Sequence, residues 1–163
     1  MKRTLTALTL AASLMTSGAW AADDADLKKL EALDECLACD LTGANLLGMS
    51  NLAGAALLGS DLTGANLSFV NLTGASLSYV NLTVANLTMA VLVGAHLDSA
   101  NLFEADLSRA DLSEANLTGS DLRGANLYNT NLSRANLTGS DLRGANLSGA
   151  NLEGANLSGA RLS

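Results

Sequence analysis

From Leu52 to Leu162 every fifth residue is leucine, twenty-three positions without an exception. A period of five matches neither the 3.6 residues per turn of a helix nor the two-residue alternation of a strand, so neither element would gather these leucines on one face. A short fixed period over most of a chain implies a solenoid, in which each repeat buries its apolar side only by stacking on its neighbours. Residues 116–127 and 136–147 both read "NLTGSDLRGANL", identical and displaced by twenty. The same side chains therefore return after four pentads.

The other positions of the pentad are specialised too. Two before the leucine stands alanine in sixteen of the twenty-three pentads, and otherwise Ser, Thr or Val, as expected for a position facing a crowded interior. Immediately before the leucine stands Asn in thirteen and Asp in five, types that hydrogen-bond nearby backbone and suit turns. Fourteen of the fifteen glycines fall two after a leucine centre, where a corner can require positive φ. Phe69, Tyr79, Val84 and Met89 occupy the same slot. A β-branched residue at positive φ is costly, so two corner geometries are expected. The chain contains no proline, the residue that a backbone ladder excludes.

Together these features, met almost literally in "ANLSGANLEGANLSGARL", resemble the pentapeptide-repeat family with its signature A-[ND]-L-x-x. The resemblance implies an all-β fold, a right-handed quadrilateral β-helix in which four pentads make one square coil, so that the two dodecamers stack directly. "DLTGANL" occurs at 40–46 and again at 61–67, displaced by twenty-one, and the leucine register slips by one between Leu46 and Leu52. One inserted residue near Met49 accounts for both facts. About six coils at roughly 4.8 Å spacing make a rod about 30 Å long.

Three segments are expected: a signal peptide over 1–21, a capping helix and Cys-x-x-Cys junction over 22–39, and the pentapeptide-repeat β-helix over 40–163. "MKRTLTALTLAASLMTSGAWA" has a basic start at Lys2 and Arg3, an apolar stretch from about Leu5 to Met15, and an A-x-A site at Ala19 and Ala21. The apolar run is short for a membrane anchor. Cleavage after Ala21 leaves 142 residues and takes the formal charge from −7 to −9. An acidic surface disfavours nucleic acid and anionic membranes as partners. The expected compartment is the periplasm, with the thylakoid lumen or the medium as alternatives. Leu27, Leu30, Leu33 and Leu37 have helical spacing, which predicts an amphipathic helix over 24–37 covering the end of the first coil.

Few residues carry chemistry. Cys36 and Cys39, the only cysteines, read as a structural disulfide in an oxidising compartment, pinning the helix at the junction. A redox C-x-x-C acts from a thioredoxin-like βαβ context, which is missing, and a lone C-x-x-C lacks the four ligands of structural zinc. Cys36 lies too far beyond the apolar stretch to be a lipidated cysteine. His96 stands where other pentads carry Asn or Asp and is expected to face outward, without a catalytic or metal role. No metal, cofactor or catalytic group is assigned, and no enzyme activity is expected. Grouping the outward residues by twenty leaves no unbroken threonine ladder, which argues against an ice-binding surface. It does gather Phe103, Arg123 and Arg143 on one face, flanked by Asp121, Asp141 and Arg161. This face is a candidate protein-docking strip, although stacked alternating charges can also serve only to relieve repulsion.

Three functions compete. The first is an exported, non-enzymatic solenoid that acts as a protein-binding or structural scaffold for an unidentified protein partner. The second follows from the resemblance: some family members mimic DNA and bind type II topoisomerase in the cytoplasm, conferring quinolone resistance. The signal peptide and the scatter of Asp98, Asp106, Asp111 and Asp121 over different faces oppose it. The third is a thiol-disulfide protein using Cys36 and Cys39, which requires an exposed thiolate. The carboxyl-terminal coil, with Leu157 and Leu162, carries no cap, so a two-fold homodimer through that end is expected. The amino-terminal helix should block head-to-tail stacking.

Overall fold

The computed structural model describes residues 22–47, 49 and 51–163. The expected signal peptide lies outside the described residues. From Glu35 onward each pentad contributes one parallel bridge, at the residue before its inward centre, and the chain rises as a stack of coils. From Asn51↔Asn71 to Asp141↔Arg161 every bridge joins residues twenty apart, so four pentads complete one coil. Each straight segment is too short to form a strand in the usual sense, yet the ladder is continuous. Leu97 N–H donates forward to Asn116 C=O (2.7 Å), and His96 N–H donates backward to Ala75 C=O (2.9 Å). The backbone is thus satisfied between coils rather than within an element.

A hydrogen bond such as Ala95 N–H to Leu92 C=O (3.0 Å) closes each corner from Leu41 onward. Combined with positive φ at the third residue, it describes a type II turn. Phe69 (φ 61), Tyr79 (φ 58), Val84 (φ 51) and Met89 (φ 56) adopt the same left-handed conformation as Gly64 (φ 66) and Gly74 (φ 64). The expectation of two corner geometries is therefore wrong. The corner amide is itself part of the ladder, as in Val84 N–H to Phe103 C=O (2.9 Å). A different turn at Val84 would surrender that bond and misalign the coils on both sides, so the strain is tolerated.

The expected insertion is observed. Asp40↔Asp61 and Asn45↔Asn66 are twenty-one apart and Asn51↔Asn71 twenty apart, so the extra residue lies between Asn45 and Asn51. The centres Leu41 to Leu142 form the core, none more than 2% exposed, together with most of the small residues two places before them. Inward hydroxyls are accommodated on main-chain carbonyls: Ser120 Oγ donates to Leu117 C=O and Ser140 Oγ to Leu137 C=O, both at 2.8 Å. In the last coil Leu147, Leu152 and Leu157 are only partly buried, because among the described residues no further coil is stacked on them.

The helix, α1, spans Asp24–Leu33 and stops short of the expected residue 37. Asp23 caps its start by accepting from Ala25 N–H (2.7 Å), and Asp34, at φ 54, ends it. Leu30 is wholly buried and Leu27 packs against the core, but Leu33 and Leu37 are exposed. The reason lies in the register. Glu35 already bridges Ala56, so the solenoid begins there rather than at residue 40. Cys36 takes the inward slot of a leucine, and Leu37 is left in an outward slot.

Candidate functional site

The alternation around each inward leucine builds the candidate strip. Asp121 and Arg123 flank Leu122, and Asp141 and Arg143 flank Leu142, so all four point outward one coil apart. Each Asn or Asp before a leucine accepts from the amide two residues on, as Asp121 Oδ1 does from Arg123 N–H (3.1 Å). This local turn fixes the carboxylate before the guanidinium arrives. Arg123 then donates through Nε to Asp121 Oδ1 (2.8 Å) and through an Nη to Oδ2 (2.5 Å). Arg143 repeats the fork on Asp141 at 2.8 and 2.6 Å. Arg161 lies 3.7 Å from Asp141. Below the forks, the Arg123 guanidinium sits 5.4 Å from the centre of the Phe103 ring, within cation–π range.

The electrostatics follow from the forks. Hydrogen bonding from Arg143 holds the Asp141 carboxyl down at about 2, and the same contact from Arg123 lowers Asp121. In return each carboxylate raises its arginine. All six residues of the expected strip thus lie on one side of the stack, over four successive levels of the ladder. A further pair, Arg134 with Glu114 at 3.5 Å, joins one corner to the corner twenty residues earlier. Its signal in the sequence was the same twenty-residue spacing, read at the corner slot instead of the slots beside leucine. Large apolar side chains at corners, Phe69, Tyr79 and Val84, are exposed in the first half of the stack.

Cys36 and Cys39 form a disulfide bridge. It lies within the first pentads rather than outside them, with Cys36 in a leucine slot and Cys39 in an alanine slot. Both are buried, at 0% and 3% exposure. Ser60 ties the turn to the next coil by donating to Cys36 C=O (2.5 Å) and accepting from Cys39 N–H (3.1 Å). Asp26 lies close to both sulfurs, but sulfurs joined to each other are not thiolate ligands for a metal. His96 faces outward, as expected. Leu157 is partly buried and Leu162 exposed at the open end.

A model of pentapeptide repeats matches in eight copies, together spanning residues 38–163. No curated protein matches the chain. Among solved structures, a pentapeptide-repeat protein from the cyanobacterium Cyanothece 51142 is 31% identical, with 85% of this chain and 98% of that one covered and a TM-score of 0.54. A pentapeptide-repeat protein from Nostoc PCC 7120 is 49% identical over 48% of this chain and 64% of its own, with a TM-score of 0.47. The plasmid-mediated fluoroquinolone-resistance protein QnrB1, trypsin-treated, is 22% identical over 68% of this chain and 61% of its own, with a TM-score of 0.41. The family match and the Cyanothece likeness imply the right-handed sense of the β-helix. With the repeat model matched over residues 38–163 and one twenty-residue register running from Asn51 to Arg161, the chain belongs to the pentapeptide-repeat family.

Proposed function

We propose that the protein is an exported, non-enzymatic scaffold that binds another protein along the face carrying Phe103, Asp121, Arg123, Asp141, Arg143 and Arg161. The observation that carries this reading is the pair of Asp–Arg forks stacked one coil apart. Each guanidinium is held flat by its own aspartate, so little side-chain freedom remains to be lost when a partner docks. The main-chain ladder beneath keeps the spacing of the forks fixed. Pentapeptide-repeat proteins are in general structural or binding proteins, which agrees with this reading. The buried Cys36–Cys39 bridge supports an oxidising compartment, the periplasm first among them.

The competing functions find less support. A DNA mimic needs a continuous run of free acids, whereas Asp121 and Asp141 are each taken by an arginine. Thiol-disulfide exchange needs an accessible sulfur, and Cys36 and Cys39 are enclosed. Among the described residues no helix is long and apolar enough to cross a membrane.

The test uses wild-type protein and an Arg123→Ala/Arg143→Ala variant as paired baits, cross-linked in the exported fraction of the source cells. A partner held by the wild type and lost by the equally folded variant is expected. A partner retained by both removes the strip from the binding surface. Recovery of the protein in the cytoplasm with a topoisomerase would overturn the scaffold reading.

A further inference from the structure

The two ends of the ladder are complementary, and α1 sits on one of them. Inside the stack, Leu142 N–H donates to Arg161 C=O (2.7 Å) and Arg161 N–H donates to Ser140 C=O (2.9 Å). One coil further on, the equivalent groups are Leu162 N–H and Ala160 C=O, which have no backbone partner among the described residues. At the amino end the matching edge is the backbone of Asp40, whose N–H and C=O point away from the second coil. Both are already occupied. Asp23 N–H donates to Asp40 C=O (3.0 Å), and Asp40 N–H donates to Asp26 Oδ2 (2.9 Å). The Asp23 amide thus imitates Leu162 N–H of a preceding coil, and the Asp26 carboxylate imitates Ala160 C=O.

We propose that the carboxyl-terminal coil is a docking surface for the amino-terminal coil of a second copy of this chain, and that α1, through Asp23 and Asp26, occupies that edge and prevents head-to-tail growth. The side chains favour this occupant as well as the backbone. Asp40, Asp61, Asn81, Asn101, Asp121, Asp141 and Arg161 form one column of bridges. Arg161 is the single cation in it. A second copy stacked in register would set Asp40 against Arg161, which already approaches Asp141 on its other side. In the column that starts at Glu35, the exposed amide of Asn156 would meet the Glu35 carboxylate in the same way. The guard is fastened beside the cysteine turn: Asp26 C=O lies 3.3 Å from Cys36 Sγ, and Lys29 Nζ lies 3.9 Å from Cys39 Sγ.

The edge is the same one that a two-fold dimer would use, and charge separates the two modes. Arg161→Glu would oppose Asp40 in a head-to-tail contact but would relieve arginine from facing arginine across a two-fold axis. In sedimentation velocity of the full chain, Asp26→Leu is expected to build a concentration-dependent series of multiples, seen as fibres by electron microscopy. Asp26→Asn, which keeps an acceptor oxygen, should not. Adding Arg161→Glu should suppress the series, and adding Asp40→Arg to that should restore it. A folded Asp26→Leu protein that never grows, or growth equally strong in Asp26→Asn, overturns the proposal. Should Asp26→Leu fail to fold, hydrogen exchange on the wild-type chain decides instead. The Asp40 amide, bonded to a carboxylate, should exchange about ten- to a hundredfold more slowly than that of Leu162, and equal rates overturn the imitation of the coil edge.

Discussion

Leu97→Ala and Leu157→Ala remove the same atoms from two places in the same repeat, and the structure assigns them different costs. Leu97 is wholly buried, with Leu77 and Leu117 in the equivalent slots one coil away on either side, also buried. The walls of the resulting void cannot close, because the backbone ladder holds the coils at about 4.8 Å. The loss therefore belongs near the top of the range for buried leucines, about 4 kcal/mol. Leu157 lies in the open last coil and is already in part exposed, so its truncation should cost about 1 kcal/mol. The difference of about 3 kcal/mol corresponds to roughly 10 °C in melting temperature for a chain of this size. Paired thermal and urea unfolding followed by circular dichroism measures it. Equal losses at the two positions, or a cost at Leu97 near 1 kcal/mol, would refute the rigid-stack reasoning. The neighbouring Asp98→Asn is the control. Asp98 accepts from Ser78 Oγ (2.8 Å) and from Asn116 Nδ2 (3.4 Å); asparagine keeps an acceptor, so a change within about 0.5 kcal/mol is expected.

Gly64→Val should cost about 1–2 kcal/mol from the left-handed backbone alone, since an added Cβ at Gly64 meets nothing within 4 Å; an unchanged melting temperature would show that the corners are not strained. Asp141 has its carboxyl held at about 2, against an ordinary 3.8, chiefly by the Arg143 fork. Because the folded value is depressed, its contribution to stability is complete above pH 3.8 and drains away as pH falls towards about 2. Carbon NMR of the carboxyl in the wild type and in Arg143→Gln checks this, with titration in the variant expected at a higher pH than in the wild type. Leu162→Glu should disrupt a two-fold dimer in analytical ultracentrifugation, and either a monomeric wild type or a dimer indifferent to the change argues against that assembly. Intact mass of exported protein should begin at Ala22 and fall short of the reduced mass by two hydrogens; retained residues 1–21 or free thiols would contradict the export reading.

The five-residue leucine period determined the inside and outside of almost the whole ladder. A parallel coil repeats its backbone geometry only if the side chains repeat with it, so the inward Leu97, the outward His96 and the inserted residue before Asn51 were all legible by counting. Where the repeat breaks off, counting had no power. The pattern Leu27, Leu30, Leu33, Leu37 suggested one longer helix. Yet Asp34 turns left-handed and Glu35 pairs with Ala56 instead, because a ladder bond to an existing coil outweighs another helical turn. The same competition across coils decided the corners: Val84 resembles no glycine in its own preferences, but its amide is owed to Phe103 twenty residues away. The forks of Arg123 and Arg143 and the grip of Asp23 and Asp26 on Asp40 likewise depended on three-dimensional placement. Composition named the charges, but only the stacking of coils and the docking of α1 determined which carboxylate each donor meets.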